Sequence, residues 1–154
     1  MLIRLARDDD MEDFVRIYGR AYEGLEEYAY TTRKEIKSYF RWLRKRDSEG
    51  MFVAVDDSTE EVVGFVACDT NWYSSFEEKE VGEIHELFVE PEWRGKGVGK
   101  ALLEKGIEYA RLKGRDLTEL WVGEKNYKAR EFYEKMGFKA AGSWGHWIRM
   151  VKRI

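Results

Sequence analysis

The chain predicts an α/β domain built on a mixed, largely antiparallel sheet. Three observations carry this reading. Segments of strand and helix period follow one another in the order β-α-α-β-β-β-α-β-α-β-β. The β-branched runs Met51–Val55 and Val62–Cys68 are joined only by the polar turn 56–61, a connection that suits an antiparallel pair. Only the strand-turn-helix-strand unit from Val81 to Val122 needs a parallel pair. A doubly wound dinucleotide fold would repeat that unit throughout.

The elements follow in chain order. Leu2 to Ala6 alternates like a short strand. Asp8, Asp9 and Asp10 supply capping oxygens for a helix from Met11 to Tyr22. Residues 24–30 read as a loop, and Thr31 or Thr32 caps a second helix that runs to about Arg46. After the two strands already named, Asn71 to Lys79 is polar and aromatic with charge near its end, and reads as a loop. Val81 to Val89 is the next strand. Val98 to Lys113 is a helix with Leu103, Ile107 and Ala110 on one face, closed by Gly114. Leu117 to Val122 is a strand. Asn126 caps a helix from Tyr127 to Met136 that stops at Gly137. Phe138 to Ala141 and Trp147 to Val151 form a terminal hairpin around residues 142–145. No linker, repeat or low-complexity segment divides the chain, so residues 1–154 read as a single domain able to bury a core.

Composition narrows the function. A net charge of −3 argues against a general nucleic-acid binder. No apolar run approaches a membrane span, and the N-terminus lacks the apolar core of a signal peptide, so a cytoplasmic protein without membrane contact is expected. Cys68 is the only cysteine and falls in an apolar strand, as a buried, inert thiol would. His85 and His146 stand alone without metal-ligand spacing, so no metal site is expected. The absence of Gln, the scarcity of Asn and the abundance of Lys, Arg and Glu are typical of proteins from hot environments.

The most informative stretch is Val-Glu-Pro-Glu-Trp-Arg-Gly-Lys-Gly-Val-Gly-Lys-Ala-Leu-Leu, residues 89–103. A strand meets Pro91, then a glycine-rich turn from which a helix starts. Glycines let backbone N–H groups approach a ligand, and a first helical turn leaves its N–H groups unpaired. Those donors and the helix dipole suit phosphate, and Arg94 and Lys96 add positive charge. The turn fails two nucleotide patterns. In a P-loop, Gly-Lys is followed by Ser or Thr, but Gly99-Lys100 is followed by Ala101. A Gly-x-Gly-x-x-Gly fingerprint starting at Gly95 or Gly97 would need glycine at Lys100 or Leu102.

What does fit is Arg94-x-x-Gly97-x-Gly99. This resembles the pyrophosphate loop of the GCN5-related N-acetyltransferases, the GNAT superfamily. A second motif agrees: Asn126-Tyr-Lys-Ala129-Arg-Glu-Phe132-Tyr133, followed by Gly137-Phe138, is similar to that family's last helix. The order of elements matches as well, so the resemblance covers nearly the whole chain. It implies the GNAT fold: a sheet of about seven strands flanked by about four helices, with two parallel strands splayed around acetyl-coenzyme A.

The same resemblance implies transfer of an acetyl group to a primary amine by direct attack in a ternary complex. A non-catalytic acyl-coenzyme A sensor is the alternative on this fold. Cofactor contacts fall on Arg94, Gly95, Lys96, Gly97, Val98, Gly99 and Lys100, with Leu87, Phe88 and Val89 supplying main-chain groups to the thioester. Asn126, Phe132 and Tyr133 complete the set. As plain structure, Asn126 is a helix cap, Phe132 and Phe138 are core and Gly137 is a C-cap; Tyr133 fits that account least, because a buried Tyr hydroxyl needs a partner. The resemblance places it at the sulfur as the acid for the leaving thiolate. The base falls on Glu83 or Glu86, with Glu83 preferred and His85 a third candidate. A regular strand would put the two carboxylates on opposite faces, and a bulge would change that. Lys135 reads as a solvated helix residue. Tyr22, Glu23, Glu26, Glu27, Tyr28 and Tyr30 would receive a small-molecule or peptide amine, an acidic and aromatic set suited to a cation. Trp72, Tyr73, Trp144 and Trp147 fit the acceptor cleft, a dimer contact or the core equally, and a homodimer is compatible with the resemblance.

Overall fold

The computed structural model describes every residue from Met1 to Ile154. The strands are β1 (Leu2–Leu5), β2 (Met51–Val55), β3 (Val62–Ser74), β4 (Lys79–Val89), β5 (Leu117–Gly123), β6 (Lys139–Trp144) and β7 (Trp147–Arg153). The helices are α1 (Met11–Ala21), α2 (Arg33–Arg46), α3 (Val98–Leu112) and α4 (Tyr127–Lys135). All seven strands form one sheet in the order β1-β2-β3-β4-β5-β7-β6. Every neighbouring pair is antiparallel except β4 and β5. Those two pair only at Gly82 with Thr118 and at Glu83 with Glu119, and then diverge. No helix is long and apolar enough to cross a membrane.

The sheet is covered on both faces. Phe14 of α1 and Phe40 of α2 pack with Phe65 and Phe88 of the sheet, ring centroids 5.1–5.2 Å from Phe14. On the opposite face Leu102, Leu103 and Ile107 of α3 bury against Val66, Ile84 and Leu120, and Tyr133 of α4 joins them. Apolar residues at helical spacing on α1, α2 and α3 thus find the core, as their periodicity requires. Thr32 and Glu35 cap α2 reciprocally, which settles where that helix begins.

Several boundaries depart from the sequence reading. β3 continues past Cys68 to Ser74, so the expected loop 71–79 shrinks to a turn at 75–78. Its extension is polar yet partly buried: Asp69, Thr70 and Ser74 are almost fully enclosed, because Arg46, Asp47 and Glu119 satisfy them. Asp8–Asp10 form a 3-10 turn, and the Asp10 carboxylate takes Arg4 and the Arg7 N–H instead of capping α1. The hairpin strands reach Trp144 and start again at Trp147, leaving only residues 145–146 in the turn.

One irregularity positions the site. Ala67 of β3 faces Glu86, but the next residue, Cys68, faces Ile84, so His85 is an extra residue in β4. This β-bulge breaks the strand's alternation. Glu83 and Glu86 therefore line the same cavity on the α1–α2 side, while Ile84 and Leu87 pack toward α3.

Candidate active site

Two cavities lie on either side of the bulge. The first, about 690 Å³, fills the gap between the splayed strands. Leu87, Phe88 and Val89 form its β4 wall. Its mouth is the turn and first residues of α3: Arg94, Gly95, Gly97, Val98, Gly99 and Lys100. From α4 come Asn126, Phe132 and Tyr133, with Asn126 Oδ1 also accepting the Ala129 N–H that starts the helix.

The glycines explain the mouth. Gly97 is the N-cap of α3 at φ 83°, a left-handed conformation natural to glycine, and it contributes no capping side chain. The first turn of α3 therefore lines the cavity with its N–H groups left uncapped, an arrangement suited to phosphate. Arg94 is fixed by donating to the Ala21 carbonyl at 3.0 Å. Buried Glu90 pairs with Arg16 and Arg20, tying the end of β4 to α1.

One expected cofactor contact stands apart. The Lys96 ammonium lies over the Trp93 ring, 5.0 Å from its centroid, and the residue does not line the cavity. Lys135 is exposed and pairs with Glu131 at 3.1 Å. Lys128, the second residue of α4, lines the cavity instead, a position the sequence reading misses. A cation close after the capping Asn126 is the only signal for it.

The second cavity, about 720 Å³, opens on the α1–α2 side. Glu27, Tyr28 and Tyr30 reach it from the α1–α2 connection, and Trp144 and Trp147 from the terminal hairpin. Tyr28 is clamped: its hydroxyl accepts from the Lys125 N–H at 3.0 Å, and its ring crosses Gly123 so closely that a Cβ there would lie 2.4 Å away. Glu23 belongs to the first cavity, and Glu26 folds back onto the Gly24 N–H. Trp72 and Trp42 each pack against the His85 ring at 4.9 Å, whereas Tyr73 is exposed.

Tyr22 lines both cavities and marks where they meet. Its hydroxyl donates to Glu86, and Tyr39 donates to the other Glu86 oxygen at 2.6 Å. Burial raises the Glu86 carboxyl to about 7, against the two tyrosine hydrogen bonds that favour its ionised form. Tyr133 is buried against Phe132 and Phe138. Burial, and then the charge of nearby Glu86, push its hydroxyl well above the ordinary tyrosine range. The sequence reading also misses Tyr39, since three residues after Ile36 it reads as another core residue of α2.

Glu83 has a different environment. Burial, and next a hydrogen bond shared with Glu119, push its carboxyl up to about 10. Against its burial, hydrogen bonds with Glu83, Arg149 and Ser74 hold the Glu119 carboxyl below its ordinary range. His85 Nε2 lies 2.9 Å from Asp69, which also takes Arg46 at 2.7 Å.

Comparison with known proteins agrees with this geometry. Residues 11–138 match the model of the acetyltransferase (GNAT) family. An uncharacterized N-acetyltransferase of Archaeoglobus fulgidus is 55% identical over 94% of this chain and 97% of its own length. A crystal structure from Pyrococcus horikoshii superposes with a TM-score of 0.89 at 40% identity, covering 99% of this chain and 98% of that one. An N-acetyltransferase of Thermoplasma acidophilum, solved in complex with coenzyme A, shares the fold at 23% identity and a TM-score of 0.74, over 99% and 98% of the two chains. The chain belongs to the GNAT acetyltransferase family.

Proposed function

We propose that this protein is an acetyl-coenzyme A-dependent N-acetyltransferase that acetylates a primary amine by direct attack in a ternary complex. The first cavity suits the cofactor: uncapped N–H groups at the α3 N-terminus, Arg94 and Lys100 would hold the pyrophosphate, and Asn126 and Phe132 the pantetheine. When bound, the thioester supplies an activated acetyl group. Main-chain N–H groups of residues 87–89, on the strand edge that β5 has left, would polarise its carbonyl.

The observation that carries the reading is Glu86. It is a buried carboxylate near neutrality, held by two tyrosine hydroxyls where the two cavities meet. We assign it, not Glu83, as the general base, since a carboxyl that keeps its proton up to about 10 accepts none at neutral pH. An alkyl ammonium titrates near 10 in water, so handing its proton to a group near 7 costs about 4 kcal/mol. Desolvation of the ammonium among the aromatic walls lowers that cost. Tyr133 keeps its proton throughout the working range and would donate it to the leaving sulfur. A sensor that only bound acyl-coenzyme A would have no use for Glu86.

Calorimetric titration with acetyl-coenzyme A, beside a Gly97→Glu control, tests the cofactor. Release of coenzyme A thiol with added amines tests the transfer. A folded protein that binds no acetyl-coenzyme A would end this assignment.

A further inference from the structure

Building on that reading, we propose that the acceptor is an alkyl diamine: a primary amine carrying a second ammonium on a short aliphatic chain, with that second ammonium held by Glu83. Glu83 is only 3% exposed, stands on the wall of the acceptor cavity, and its Oε1 has no hydrogen-bond partner. The other buried carboxylates on this face are satisfied. Asp69 has Arg46 and His85, Glu119 has Arg149 and Ser74, and Glu86 has two tyrosines. Glu83 alone is hydrogen-bonded to neither a cation nor a hydroxyl: its one side-chain partner is Glu119, Arg149 acts on it only through its charge, and the unpartnered Oε1 is costly unless a ligand completes it.

The surroundings select the charge of that ligand. No Lys or Arg lines this cavity, while Glu27, Glu83 and Glu86 do. A free amino acid would find no Lys or Arg for its carboxylate. An ammonium would find both carboxylates and ring faces, including Trp121 beside Phe76 and Trp147 beside Tyr28. Its arrival supplies the counter-charge that lets Glu83 ionise, releasing the Glu83 proton to water.

The bulge sets the length. With His85 extruded, Glu83 and Glu86 lie on one face about two strand steps apart, or ~7 Å along β4. One nitrogen at Glu86 and the other at Glu83 is the span of a short straight-chain diamine.

The test measures kcat/KM by thiol release for straight-chain diamines of increasing length, monoamines of matching length, and a peptide with a free N-terminus. Wild type and Glu83→Gln are compared. In wild type the expected result is a diamine preference of at least about tenfold with a clear optimum in length. In Glu83→Gln the ratio of diamine to monoamine should fall toward one, through KM rather than kcat, because Glu83 does not touch the reacting nitrogen. The length optimum in wild type stands as evidence even if the variant fails to fold. Monoamines or the peptide used as well as diamines, or a ratio unchanged in Glu83→Gln, would overturn the diamine assignment and leave the acetyltransferase reading intact. No thiol release with any amine, from protein that binds acetyl-coenzyme A, would overturn both.

Discussion

The mouth of the first cavity comes largely from one short stretch of chain, Arg94, Gly95 and residues 97–100, in which Gly95 and Gly97 are left-handed. The second cavity beside it gathers side chains from α1, α2, β4, β5 and the terminal hairpin, two buried carboxylates among them. A shared cofactor can be held by backbone, which any sequence of the right turn type supplies. An individual acceptor must be read by side chains, which differ from one chain to the next without disturbing the fold.

The sharpest way to break the two apart is Gly97→Glu. It places a side chain at φ 83° and a carboxylate among the anion-binding donors. Measurable acetyl-coenzyme A binding should vanish in calorimetry, with the acceptor cavity intact. Next in size, Glu86→Gln should lower kcat about a hundredfold or more and leave cofactor affinity near wild type. Below about 7 Glu86 is protonated and accepts nothing, so the wild-type rate should climb with pH through about 7 and level above it. In Glu86→Gln that limb should disappear, and a limb that persists would assign the base elsewhere. Tyr133→Phe should slow turnover about tenfold with binding spared; an unchanged rate across the pH range would remove Tyr133 as the acid.

The smallest effect is on stability. Folded Glu83 keeps its proton to about 10, whereas an unfolded glutamate loses it near 4.5. A raised carboxyl favours the folded state most fully at acid pH, and that contribution declines as pH rises through this window. Glu83→Gln should therefore melt like wild type near pH 4 and higher than wild type at pH 8, by about 1 kcal/mol or more. Equal melting at both pH values would mean that Glu83 is ionised in the folded protein.

Much of the coenzyme side is legible in the amino-acid sequence. Arg94, Gly97 and Gly99 carry their geometry locally, and Asn126 announces α4 by capping it. The acceptor side is less so. Tyr39 reads as core because an α2 position three residues from Ile36 is core by periodicity, and only proximity to Glu86 gives its hydroxyl a purpose. Residues 71–74 read as loop because hydropathy cannot distinguish a solvated polar run from the end of a strand anchored in an ion-paired network. Lys128 lines the first cavity and Lys96 does not for a similar reason: a charge near a motif is visible, but the direction of its side chain is not.

The order of elements, the parallel unit inside an otherwise antiparallel sheet, and the glycine-rich turn before α3 all come from the amino-acid sequence alone. Each depends on propensity, periodicity or a few adjacent residues. Which carboxylate can be a base is set by tertiary structure instead. The bulge at His85 exists only in the register of β4 against β3, and it brings Glu83 and Glu86 to one face. Their different proton affinities then follow from neighbours remote in sequence: Tyr22 and Tyr39 around one, Glu119 beside the other.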